Sequence, residues 1–368
     1  MLRSTYAVVH LDAIEHNISY IKNNLPKSTD LLAVIKANAY GHGLCEVGTL
    51  LDQNPDVAMF GVAICEEGVR LRDAGVKKPI LILGVTDPEH FDAVVEYDLI
   101  PAVFTKEQVS LAENSARAHN KTVSVHIKID SGMHRIGVPS LDSLEELLDT
   151  FDSVQNVRLA GVFTHFAKSE SDPAFTALQA ERFDQAVAKI HQRGYRPVVH
   201  AANSAAILSG SRYSYDMVRL GISMYGYYPD GVSSGALSPA MSFVTHISNL
   251  QNLPAGEGIS YGQKYVTTRP TTVATLPVGY GDGYKRCLSG KADVLIGGVR
   301  CRQIGTICMD QIMVDVTNLP SVHLGDEAVL IGSQGSESIT ADELAEKADT
   351  ISYEILLSIS ERVPRIYR

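Results

Sequence analysis

The chain of 368 residues is long enough for two domains, or for one large barrel with an appendage. It is 45% hydrophobic and carries 32 basic against 42 acidic side chains, a formal charge of −10 that no basic run interrupts, which excludes a nucleic-acid surface. No apolar run reaches the ~20 residues needed to cross a bilayer, the N-terminus turns polar too early for a signal peptide, and five cysteines without a C-x-x-C pair predict a reduced, cytoplasmic protein with no metal site.

The strand-like TYAVVHL at 5–11 can belong to either of two domains. From about residue 30 to 225, short apolar or β-branched runs then alternate with amphipathic stretches. The runs are LLAVI before Lys36, FGVAI at 60–64, PILIL at 79–83, PAVF at 101–104 and VSVHIKI at 123–129, followed by LAGVFTH at 159–165, PVVHA at 197–201 and MVRL at 217–220. Segments such as CEEGVRLRDAG and AFTALQAERFDQAVAKIHQRG lie between them, and the second predicts a helix that buries Phe175, Leu178, Phe183, Val187 and Ile190. Eight strands with intervening helices predict an N-terminal (β/α)8 TIM-like barrel, with a doubly wound sheet as the structural alternative. Beyond about residue 235 the texture changes to SFVTHI, TTVATLPV, ADVLIGG, IMVDV and EAVLIG, separated by Gly, Pro and Asn turns. This predicts a C-terminal β-rich domain, so the expected division is 1–235 and 236–368. One short helix, ADELAEKA at 341–348, is expected within it, and GYGDGYKR at 279–286 reads as a turn.

In a barrel, reacting groups gather where strands end and βα loops begin. The first strand ends at Lys36 before a Gly-rich loop, the fifth at Lys128 with Arg135 in the following loop, and the sixth at His165. The seventh is followed by His200, Asn203 and Ser204, and the eighth carries Arg219, Gly221 and Ile222. Each has an ordinary alternative: a strand-end lysine is usually a solvated cap, and histidines and arginines commonly serve structure. Their co-location on one rim outweighs those alternatives and predicts an anion site. The Gly221 and Ile222 amides, the Ser204 hydroxyl and the Tyr40 phenol could cradle a phosphate.

The blocks AVIKANAYGHG at 33–43, HIKIDSGMHRIG at 126–137, THFA at 164–167, HAANSA at 200–205 and VRLGI at 218–222 resemble the alanine racemases. So do GISYG at 258–262, GTICMDQIMVD at 305–315 and SYEILLSISERVPR at 352–365, in order over essentially the whole chain. The resemblance implies a pyridoxal-phosphate enzyme that interconverts L- and D-alanine through an external aldimine and supplies D-alanine for peptidoglycan. It implies that Lys36 holds the cofactor and is one catalytic base. Tyr261, supplied by the partner subunit of a homodimer, is implied as the other. Arg219 is expected at the pyridine nitrogen, oriented by His165 and His200. Tyr40, Ser204, Gly221, Ile222 and Tyr353 are expected to hold the phosphate or wall the pocket. Arg135 and the partner's Met309 are expected at the substrate carboxylate. Lys128 matches a lysine that is carbamylated in many members of the family.

Racemisation needs a proton removed on one face of a carbon and returned on the other, hence two bases. Arginine keeps its proton, so at the pyridine nitrogen it makes the ring a weaker electron sink than a carboxylate would. A barrel-type pyridoxal-phosphate decarboxylase is the enzymatic alternative, but resembling members place a carboxylate at that nitrogen. A non-catalytic binder of the cofactor is the other alternative, but such proteins lack the second domain and its tyrosine. Alanine is the expected substrate because Tyr353 and the Met309 loop leave room for little more than a methyl group, with serine slower at best.

Overall fold

The computed structural model describes residues 3–229 and 235–368; the stretch just before the expected boundary, 230–234, lies outside them. The first strand, β1 (Tyr6–Val9), precedes eight parallel strands that close on themselves. These are β2 (Asp30–Val34), β3 (Met59–Val62), β4 (Ile80–Ile82), β5 (Ile100–Val103), β6 (Val123–Lys128), β7 (Val157–Phe163), β8 (Val198–His200) and β9 (Met217–Leu220). The last ladder, Asp30↔Met217 through Ala33↔Leu220, joins β9 back to β2. The expected barrel is therefore the observed fold. The strands are β-branched and buried because such side chains fit a pleated surface covered on both faces.

The outer helices start where capping chemistry sits. Thr105 and Gln108 form a reciprocal capping box for Lys106–Ala118, and Asp172 caps Pro173–Gln192 through the Phe175 amide. On that second helix the buried face is Thr176, Gln179, Ala180, Phe183, Ala186 and Ile190, which corrects the expected one. Leu178 is exposed, and Phe175 and Val187 are only half-buried. The apolar count misled because the inward stripe begins with two polar residues. Gln179 reaches the Ser131 hydroxyl, the His165 carbonyl and the Ala167 amide, so this face supports the loops above the barrel.

The C-terminal half is β-rich, as expected. Its sheet runs Asn249–Leu253, Thr271–Leu276, Ile312–Asp315, Val299–Ile304, Asp293–Ile296, Glu327–Gln334, Met241–His246, β1 and Arg365–Tyr367. β1 thus joins this sheet, antiparallel to Met241–His246 and parallel to Arg365–Tyr367. The helix Ala341–Ala348 is present, and a further helix, Ser352–Ser358, carries Tyr353 back over the mouth of the barrel. No helix among the described residues is long and apolar enough to cross a membrane.

Candidate active site

The barrel mouth opens into a cavity of about 810 Å³. Its lining brings together Lys36, Tyr40, Lys128, Arg135, His165, Ser204, Arg219, Gly221, Ile222 and Tyr353, all on the predicted rim except the last. Tyr261 and Met309 do not reach it. They line a separate surface pocket of the β-rich half, where Tyr261 is 73% and Met309 52% exposed.

Lys36 enters the cavity from an unusual backbone. The next four residues, Ala37, Asn38, Ala39 and Tyr40, all have φ between 52° and 54°, and Gly41 follows at 86°. A left-handed turn costs L-residues roughly 1–2 kcal/mol each, so its surroundings must hold it. The Ala39 and Gly41 amides donate to Ile35 and Ala37, and the Leu44 amide donates to the Asn38 side chain. His42 is fully buried, stacks on Tyr225 and donates from Nδ1 to the Ala39 and Tyr40 carbonyls. Two oxygens of Glu67 complete the restraint, accepting the Ala37 amide at 2.5 Å and the Ala63 amide at 2.7 Å.

Arg219, on β9, is buried beneath the cavity. Its terminal nitrogens donate to the carbonyls of Thr164, His200 and Ala201 at 2.6–3.1 Å, and they face His200 Nδ1 at 3.1 Å and His165 Nδ1 at 3.3 Å. Guanidinium only donates, so His200 Nδ1 accepts, and its Nε2 proton is directed at His126 Nδ1, 2.9 Å away. Burial and the Arg219 charge hold His200 and His165 well below the ordinary imidazole range and bring His126 down to about 3. All three rings are neutral. Burial brings Arg219 itself down to about 9, and among the described residues no carboxylate pairs with it. Its Nε has no protein partner among the described residues.

The cavity's cations share that environment. Burial pushes the Lys36 ammonium down, Arg135 and Arg219 add to the effect, and Glu67 opposes it. Lys128, at the end of β6, falls to about 7 through burial and then the charges of Arg135, Arg219 and Lys36. In the same cavity, Ser204 Oγ accepts the Gly221 amide at 3.0 Å, and a Cβ on Gly221 would stand 3.0 Å from the Tyr40 hydroxyl. The Tyr40 ring lies against Tyr225 and Tyr353, with centroids 4.9 and 5.9 Å away.

Three supporting residues do not stand out in the sequence. Glu67 reads there as one more charge on an amphipathic helix. His126 lies inside a strand, but Gly161 within β7 marks it: a Cβ there would stand 2.3 Å from the His126 ring. Asp282 lies in the GYGDGYKR segment, which is more than the turn expected. This carboxylate is fully buried and pairs with Arg3 and Arg362, each at 2.6 Å, while Arg362 also pairs with Asp310 at 2.5 Å. The Tyr280 and Gly281 amides donate to Cys308 and Met309, so the segment anchors the Met309 loop. The Tyr261 loop is constrained as well. Ser260 has φ 63°, its hydroxyl donates to the Thr306 carbonyl, and the Thr306 hydroxyl donates to the Tyr261 carbonyl.

Residues 9–229 match the family model described as "Alanine racemase, N-terminal domain", and residues 240–367 match "Alanine racemase, C-terminal domain". The chain belongs to the alanine racemase family. The alanine racemases of Halothermothrix orenii and Carboxydothermus hydrogenoformans are 42% and 43% identical to it, each over 100% of this chain and over 97% and 100% of their own lengths. Among solved structures, the alanine racemase of Clostridium difficile 630 superposes with a TM-score of 0.94 at 37% identity, covering 100% of this chain and 96% of the other. That of Bacillus anthracis with bound L-Ala-P gives 0.93 at 36%, with the same coverage. Membership makes the chain an isomerase of the racemase class and sets aside the decarboxylase and the non-catalytic binder.

Proposed function

We propose that the protein interconverts L- and D-alanine with pyridoxal phosphate bound in the barrel cavity, using Lys36 and the Tyr261 of a second chain as its two bases. One observation carries the reading: a single cavity collects Lys36, a buried arginine whose Nε is unpartnered among the described residues, and the Ser204–Gly221–Tyr40 cluster. The lining fits the cofactor, because the space a Cβ on Gly221 would fill lies beside two hydroxyls, and the cationic wall contributes no carboxylate partner to Arg219. When bound, pyridoxal phosphate supplies a conjugated system that takes up negative charge developing at the substrate α-carbon.

The chain's own residues do the rest. Lys36 would hold the cofactor through Nζ, and its lowered ammonium leaves more free amine to accept a proton near neutrality. Ser204, Tyr40 and the Gly221–Ile222 backbone would hold the phosphate, and Tyr353 would wall the pocket. Arg219 would present its Nε–H to the cofactor's pyridine nitrogen, and the His165–His200–His126 set holds the guanidinium in place. Because those rings are neutral, Arg219 keeps its proton and directs it outward. Arg135 meets the substrate carboxylate. Lys128, brought down to about 7, presents free amine near neutrality, the form that carbon dioxide carbamylates, and a carbamate would orient Arg135.

Tyr261 and Met309 act in the site of a second copy. Two features support this: they are exposed on the β-rich half, and the mouth of the cavity displays exposed Val85, Ile351 and Leu357. The enzyme is a homodimer in this reading and works in the cytoplasm, consistent with five unpaired cysteines. Alanine, rather than serine, is the preferred substrate. The role in peptidoglycan supply rests on the family resemblance alone.

Borohydride reduction of the cofactor-loaded protein should make the covalent link permanent, and peptide mapping should find the adduct on Lys36. An adduct on Lys128, or none, would refute the assignment.

A further inference from the structure

Glu67 stands on the helix Cys65–Asp73 that follows β3, is buried, and belongs to no ion pair within 4.0 Å among the described residues. Its carboxylate instead straps together the ends of two neighbouring barrel strands. Oε1 takes the amide immediately after Lys36, and Oε2 takes the Ala63 amide just past β3. Hydrogen bonds to an ionised acceptor are roughly twice as strong as neutral ones. The Ala37 amide is also the first of the left-handed run, so the strap closes that run at the residue where the lysine leaves it. Lys36 faces Arg135 and Arg219, which disfavour its ammonium, and Glu67 is the charge that opposes them.

We infer that Glu67 is a positioning residue for Lys36: strapped between the Ala37 and Ala63 amides, it fixes the left-handed turn from which the lysine enters the cavity. This rests on the reading of Lys36 given above. Glutamine at this position has one carbonyl oxygen for two amides, turns an NH2 donor toward the other amide, and carries no charge. Aspartate keeps the charge but is too short to reach both amides.

The test compares the cofactor-loaded parent with Glu67→Gln and Glu67→Asp. By hydrogen-exchange mass spectrometry, peptides covering residues 36–43 should exchange about tenfold faster in both variants, with β6 unchanged. In both, kcat for alanine should fall about tenfold, with KM within about twofold of the parent. Only Glu67→Gln should move the acidic limb of the kcat–pH profile to lower pH, because only it removes the charge that favours the Lys36 ammonium. Parental exchange over 36–43 in either folded variant overturns the inference, as does faster exchange with unchanged kcat. Failure of both variants to fold overturns it too, by making Glu67 a residue of the fold rather than of the lysine. A parent that does not racemise alanine is a failure of the functional reading, and it leaves the exchange result to decide the strap.

Discussion

Lys36→Ala should abolish racemisation, lowering kcat by roughly 10⁴-fold or more, since in the proposed reading one side chain provides both the covalent attachment and one proton-transfer base. The variant should still fold. Lys36 is only partly buried and lies at the end of β2, and its ammonium is held down by burial and by Arg135 and Arg219, so removing it relieves like-charge repulsion. Thermal melting of the apoprotein should therefore be unchanged or raised. The cofactor should still be recruited through Ser204, Tyr40 and Gly221 but should dialyse away and escape trapping by borohydride. A folded Lys36→Ala protein that keeps parental activity would remove the lysine from the chemistry. A variant that melts far below the parent would instead make Lys36 structural.

Tyr261→Phe removes one hydroxyl from a residue that is 73% exposed, so its effect on the fold should be small. Its effect on racemisation should be a loss of roughly 10²- to 10⁴-fold, the range for a missing general acid–base. The two enantiomers have equal free energy, so kcat/KM must fall equally in both directions, and rates alone cannot tell which base failed. Deuterium can. In heavy water the variant should still exchange the α-hydrogen of one enantiomer with retention, through Lys36, while inversion is lost. Mixing it with Lys36→Ala chains should restore activity, because in the proposed dimer a hybrid would rebuild one site with both bases. No restoration after subunit exchange would mean that Tyr261 serves its own chain or none.

The barrel was legible because each of its strands is a short β-branched or apolar run, and the cavity lining because its polar residues end those runs. What the sequence hid were contacts across long separations. β1 could not be assigned to a domain because its neighbours, Met241–His246 and Arg365–Tyr367, lie more than two hundred residues away in the chain. Glu67 gives no signal of its own in the sequence, because periodicity reports which face a residue occupies, not which amide its carboxylate reaches. The polar start of the Pro173–Gln192 stripe drew the expected core face onto Leu178. Asp282 was hidden because its partners, Arg3 and Arg362, come from the two ends of the chain. Tyr261 is legible only through the family blocks, since its loop carries no periodic or capping signal of its own.

The central claim is tested most directly by incubating the purified, cofactor-loaded protein with L-alanine and resolving the product by chiral chromatography, then repeating with D-alanine. The account predicts approach from either side to the same equal mixture of enantiomers, with no carbon dioxide released. Absence of D-alanine from L-alanine, or decarboxylation in its place, would contradict it.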